Sequence, residues 1–112
     1  MSDPVDAICA IYGPIFEFYS RDRELGRVFL EAVTFAGDSE PELRAVTESF
    51  IGQLALMVGD HTDNAMASSF NIFAAYFAAL TGFLAGRITT LEALKQLFRV
   101  LIVEQRKGWV AP

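Results

Sequence analysis

The chain is 112 residues long, 53% of them hydrophobic, with a formal charge of −5 from 9 basic and 14 acidic side chains. That length predicts a single domain, and the apolar share excludes a disordered or low-complexity segment. An acidic balance whose longest basic grouping is Arg106-Lys107 excludes a phosphate-backbone footprint, which needs Lys and Arg gathered on one face.

Helical periodicity dominates, and no strand-like alternation interrupts it. Asp3 before Pro4, with Asp6 in the first turn, predicts a first helix running to Tyr19 or Ser20 on the stripe Val5, Ile8, Tyr12, Ile15, Phe16 and Tyr19. Asp22 caps a second helix that buries Leu25, Val28, Phe29, Ala32, Val33 and Ala36, turns Glu24, Arg27 and Glu31 outward, and ends at Gly37. The capping box Ser39-Glu40-Pro41-Glu42 opens a third helix with the stripe Leu43, Val46, Phe50, Leu54, Met57 and Val58, closed by Gly59. Asp60-His61-Thr62-Asp63 is a polar turn and cap. A fourth helix runs to about Ala85 and stops at Gly86, and Thr89 with Glu92 forms a second box that opens a fifth helix to about Arg106. Five helices on short connections predict an all-α domain.

From Met66 to Ala85 the fourth helix carries no charge, a run of about 20 residues that has to be tested as a membrane span. Ser68, Ser69, Asn71 and Thr81 argue against one, and Arg99 interrupts the apolar run of the last helix, so a small membrane protein stays a remote alternative. A helix apolar all round in a soluble protein is covered on both sides. Its bulky residues Met66, Phe70, Phe73, Phe77, Leu80 and Leu84 are expected inside the subunit. Its small ones, Asn71, Ala74, Ala75, Ala78, Ala79 and Gly82, are expected to admit a second copy of the chain, with Leu94, Phe98 and Leu101 of the fifth helix beside them. A four-helix bundle across a two-fold axis is the expected homodimer.

The residues that carry a resemblance are Phe16-Glu17-Phe18-Tyr19-Ser20-Arg21-Asp22-Arg23-Glu24-Leu25 followed by Phe29-Leu30-Glu31, the run Phe73 to Gly82, the hairpin Ala85 to Glu92, and Leu94 to Leu101. Together they resemble the C-terminal regulatory domain of tetracycline-repressor (TetR) type transcription regulators, over nearly the whole chain. The resemblance implies a five-helix effector-binding and dimerisation domain spanning 1–112, with the last two helices forming the dimer bundle. It also implies transcription regulation, as a repressor or otherwise, in a full-length parent, the chain being either an excised regulatory domain or a stand-alone relative. The family's basic helix-turn-helix is not matched by any residue here, so DNA contact is expected only through a domain outside this sequence.

Pro14 lies inside the first helix, where its ring removes one backbone hydrogen bond and opens space beside the helix. Tyr12, Phe16 and Tyr19 surround it, and Phe29, Phe50, Leu54, Met57, Phe70, Phe73 and Phe77 face it from neighbouring helices. This is the lining an apolar small-molecule effector requires. Gln53 on the third helix supplies a candidate polar ligand contact, and Asn71 on the fourth a polar contact at the dimer seam. The other reading is a stand-alone helical homodimeric interaction module whose phenylalanines fill its core.

His61 between Asp60 and Asp63 is better used in a turn and cap than on a metal, and no metal or cofactor is expected. Cys9, the single cysteine, forms no internal disulfide and reads as a small core side chain. With one histidine and no carboxylate pair on an apolar face, enzymatic chemistry has little material, and no enzyme is expected. Met1-Ser2-Asp3-Pro4 lacks the features of a secretory leader, which makes the cytoplasm the expected compartment.

Overall fold

Proline at the first helical position and Asp6 in the first turn start α1 (Pro4–Arg21), which continues through Pro14 and buries Val5, Ile8, Tyr12, Phe16 and Tyr19. The computed structural model describes residues 4–36, 41–60 and 62–109, with the side chains at 33–36, 43 and 46 outside that description. Asp22 separates α1 from α2 (Arg23–Ala36), its Oδ1 accepting the Leu25 N–H at 3.0 Å as a helix cap does. Then come α3 (Pro41–Val58), α4 (Ala65–Leu84) and α5 (Leu91–Arg106). The described residues form helices and turns only, an all-α arrangement of five elements. The box at Ser39 and Glu40, His61, and the packing of Val33, Ala36, Leu43 and Val46 lie outside the described residues.

The connection between α4 and α5 shows why glycine stands at position 86. Gly86 takes φ +83°, and the N–H groups of Arg87 and Ile88 both return to the Gly82 carbonyl, at 2.9 and 3.1 Å. A side chain at a left-handed position adds strain that glycine avoids. The cap of α5 is Thr90, one residue later than the sequence suggests: its hydroxyl accepts the Ala93 N–H at 3.1 Å. Asn64 occupies the N-cap of α4 without a side-chain bond, while Thr62 is buried and its hydroxyl accepts the Asn64 N–H at 3.2 Å. Neither Thr62 nor Asp63 occupies that cap.

Helix α1 packs on α5, α5 on α4 and α4 on α3, and α2 crosses both α1 and α4. Tyr12, Phe16, Ile72, Tyr76, Phe83, Leu94, Phe98 and Ile102 meet in the core, where the Tyr12 ring centroid is 4.8 Å from those of both Tyr76 and Phe98. Outside this core, Glu17–Lys95 at 2.7 Å and Asp6–Arg99 tie α1 to α5. The Lys95 hydrogen bond, more than its charge alone, holds the Glu17 carboxyl below the usual carboxylate range.

Two expected faces differ from the structure, that of α4 in part. On α4 the buried arc is Ser68, Ser69, Ile72, Tyr76, Ala79, Leu80, Phe83 and Leu84, so Leu80 and Leu84 are inside as expected and Phe73 and Phe77 pack half-buried on the core, whereas Met66 and Phe70 are 54% and 57% exposed. The helix is apolar all round, so bulk does not pick the inner face. Close approach of the neighbouring helices draws Ser69 and Ala79 inward instead. On α2, Leu25, Val28 and Phe29 are exposed, and the contact with the rest of the subunit is made by Gly26, which lies against Tyr19 and Leu84, with Leu30 beside the core. Arg23 and Arg27 point at the end of α4: Arg27 Nη2 donates to the Leu84 carbonyl at 3.0 Å and Arg23 Nη1 to that of Phe83 at 3.4 Å. Beside the Gly26–Leu84 contact, the arginines of α2's charged row join it to the end of α4.

Candidate functional site

A cavity of about 410 Å³ lies between α1, α2, α3 and α4. From α1 it takes Tyr12, Pro14, Ile15, Phe18 and Tyr19; from α2, Phe29; from α3, Thr47 and Phe50; from α4, Phe73, Tyr76 and Phe77. Pro14 thus stands on the cavity wall, on the side of the helix where the ring takes the place of an N–H. Phe18, at 50% exposure, and Phe29 stand toward solvent, and Tyr12, Tyr19 and Tyr76 lie buried at the other side.

The lining is aromatic in eight of its eleven residues and contains no charged side chain. The rings hold one another by edge and tilted contacts: Phe73 with Phe77 at 4.7 Å, Phe50 with Tyr12 at 5.4 Å, Tyr19 with Phe29 at 5.9 Å. Such contacts add to burial and fix the ring planes. All three tyrosines of the chain are in this wall. The Tyr19 and Tyr76 hydroxyls lie close enough to interact. Burial pushes the phenols of Tyr12 and Tyr76 well above their ordinary pKa, so both stay protonated.

Of the residues expected at a ligand, Tyr12, Tyr19, Phe29, Phe50, Phe73 and Phe77 are brought together here. Phe16 and Leu54 are not: each is 1% exposed and spent in the core. Met57 packs half-buried against the core, Phe70 is on the surface, and Gln53 is exposed on the outer side of α3 beside Ala45 and Ser49. A glutamine one residue from the buried Leu54 reads as part of the stripe, but its place on the helix turns it outward. Ile15, Phe18, Thr47 and Tyr76 add to the expected lining. Tyr76 was findable as the residue four after Ile72, on the inner arc. Phe18 and Thr47 carry no periodic signal of their own.

The residues expected at a dimer seam divide. Asn71, Ala74 and Ala78 are exposed on α4, and Ala75 and Leu101 are half-buried. Ala79, Leu94 and Phe98 have no more than 1% exposure and are covered within the subunit, so they have no surface to offer a partner. Gly82 faces its own chain, since a Cβ there would meet Ile88 Cδ1 at 3.0 Å. Cys9 sits half-buried near Arg99 in a smaller cleft between α1 and α5. Among the described residues no three His, Cys, Asp or Glu side chains gather as a metal site would require. Helix α4 is long and apolar enough to cross a membrane, with nearly half of that stretch buried inside the subunit.

Comparisons with known protein families, with curated proteins and with solved structures give no match.

Proposed function

We propose that this chain is a helical small-molecule sensing domain, and that it serves as the effector-binding and dimerisation domain of a TetR-like transcription regulator. The observation that carries the sensing part is the aromatic cavity between α1, α2, α3 and α4, which has the size and the apolar character of a ligand pocket. The regulator part follows from the sequence resemblance, and DNA contact would belong to a helix-turn-helix outside these residues. With no charged group in the wall, the effector is neutral and apolar or aromatic. A ligand packed against α1 and α4 at once would bias their relative placement, and a dimer partner on α4 would transmit that bias.

Thermal unfolding with a panel of neutral one- to three-ring aromatics tests the sensing part. Binding to the folded state alone stabilises by about 2.7 kcal/mol when free ligand is 100 times its Kd, so a melting temperature that climbs with ligand concentration is expected. Phe77→Trp, which fills the cavity, should flatten that climb. A panel without effect on the wild type would leave the interaction module with a filled core as the better reading.

A further inference from the structure

The wall of the cavity contains one polar group with nothing to do. Tyr12 has no solvent-accessible surface, and its hydroxyl is buried without a hydrogen-bond partner among the described residues. Tyr19 and Tyr76 interact with each other, so in this wall the Tyr12 hydroxyl is the buried side-chain polar group left without a partner among the described residues. Phenylalanine would fill the same space and strand no hydroxyl. A buried polar group without a partner calls for an explanation, because its desolvation is not repaid by folding.

We infer that Tyr12 is the polar recognition point of the cavity, and that its ligand is a flat, uncharged aromatic carrying a hydrogen-bond acceptor, a ring nitrogen or a carbonyl, which receives the Tyr12 hydroxyl proton. The inference rests on reading the cavity as a ligand site. A phenol donates far better than it accepts, which sets the acceptor on the ligand side. The surrounding rings select a flat partner by stacking and edge contacts. Phe50, half-buried, stands edge-on to Tyr12 and lines the cavity; with Tyr12 fully buried, the proposed contact requires that ring to turn aside.

Quinoline and naphthalene have the same shape and differ in one ring nitrogen. Their dissociation constants are measured by calorimetry at mildly alkaline pH, where both are uncharged, on the wild-type chain and on Tyr12→Phe. The ratio of naphthalene to quinoline Kd should fall by roughly three- to tenfold in Tyr12→Phe, the worth of one neutral hydrogen bond, while naphthalene itself binds both proteins alike. The unliganded variant should melt no lower than wild type. Naphthalene binding with a ratio that Tyr12→Phe leaves unchanged overturns this inference and keeps the sensing domain; it would mean that the hydroxyl is satisfied by a buried water. A much lower melting temperature for the variant also overturns it, because the hydroxyl then supports the fold. Binding of neither probe overturns both readings.

Discussion

Two glycines inside helices show how differently the same residue is used. At Gly26 a Cβ would stand 3.0 Å from Tyr19 Cδ1 and 3.2 Å from Leu84 Cδ2, so the missing side chain is what lets α2 cross α1 and α4. At Gly52, within α3, a Cβ would meet nothing within 4 Å. Alanine improves helix propensity by about 1 kcal/mol at either site. At Gly26 that gain is outweighed by overpacking against an aromatic ring, which costs about 1–3 kcal/mol. Gly26→Ala should therefore lower the unfolding free energy by about 1 kcal/mol, and Gly52→Ala should raise it by about 0.5–1 kcal/mol. Urea unfolding of the two variants beside wild type gives both signs in one experiment. Equal stabilisation would show that Tyr19 and Leu84 yield freely, and that the cavity wall on the Tyr19 side is softer than its contacts suggest.

At the scale of the elements, α4 ends without a basic residue in its last turn, and α2 supplies the missing charge from outside. Arg27 and Arg23 reach the Leu84 and Phe83 carbonyls, and the Arg23 guanidinium also lies 4.2 Å from the centre of the Phe83 ring. Cations at a helix C-terminus are worth about 0.3–1 kcal/mol and are screened by salt. Arg27→Gln should cost about 0.5–1 kcal/mol in urea unfolding at low ionic strength, with the difference shrinking at high salt. A loss that salt does not reduce would mean that Arg27 acts through the packing of its stem. This clamp was not legible in the sequence, where Arg27 sits in a charged row that reads as a solvated face. The helices themselves were legible, because Pro4, Asp22, Pro41 and Gly86 each carry a backbone constraint that acts locally. So was the inner stripe of α1, the helix whose apolar spacing is unambiguous. Helix α4 was not, because a helix apolar on every side carries no periodic signal to mark its inner face. For α2 the expected buried face, Leu25, Val28 and Phe29, is exposed instead, because nothing local says whether an apolar face is covered by this chain. The same limit applied to the cavity. Pro14 and six of its rings, Tyr12, Tyr19, Phe29, Phe50, Phe73 and Phe77, were visible as a cluster, while Phe18, Thr47 and Tyr76 depend on how four helices meet.

At the scale of the whole molecule, large apolar side chains stand exposed on α4 and α5 among the described residues. Met66, Phe70, Ala74 and Ala78 recur at helical spacing along α4, all exposed, and Leu97 and Val100 are exposed on α5, which packs beside it. Exposed apolar residues of this kind are what an interaction surface would use. The proposed homodimer would use them, with the seam moved from the Ala79 side of α4 to the Ala74 and Ala78 side. A stable interface buries on the order of 1,500 Å² in total, which these two helix faces must largely supply. Ala78 is the position to test, since it is exposed in the subunit. Gly82 is not, because any side chain there presses on Ile88. Ala78→Arg places an uncompensated charge in the seam and holds the facing helix away. The expected result is a dimer mass for wild type by light scattering and a monomer for Ala78→Arg, with the same helix content by circular dichroism. Glu31→Arg, on exposed α2, should keep the dimer mass. A dimer that survives Ala78→Arg would move the seam off α4, and the exposed Leu25, Val28 and Phe29 of α2 would be the next face to charge.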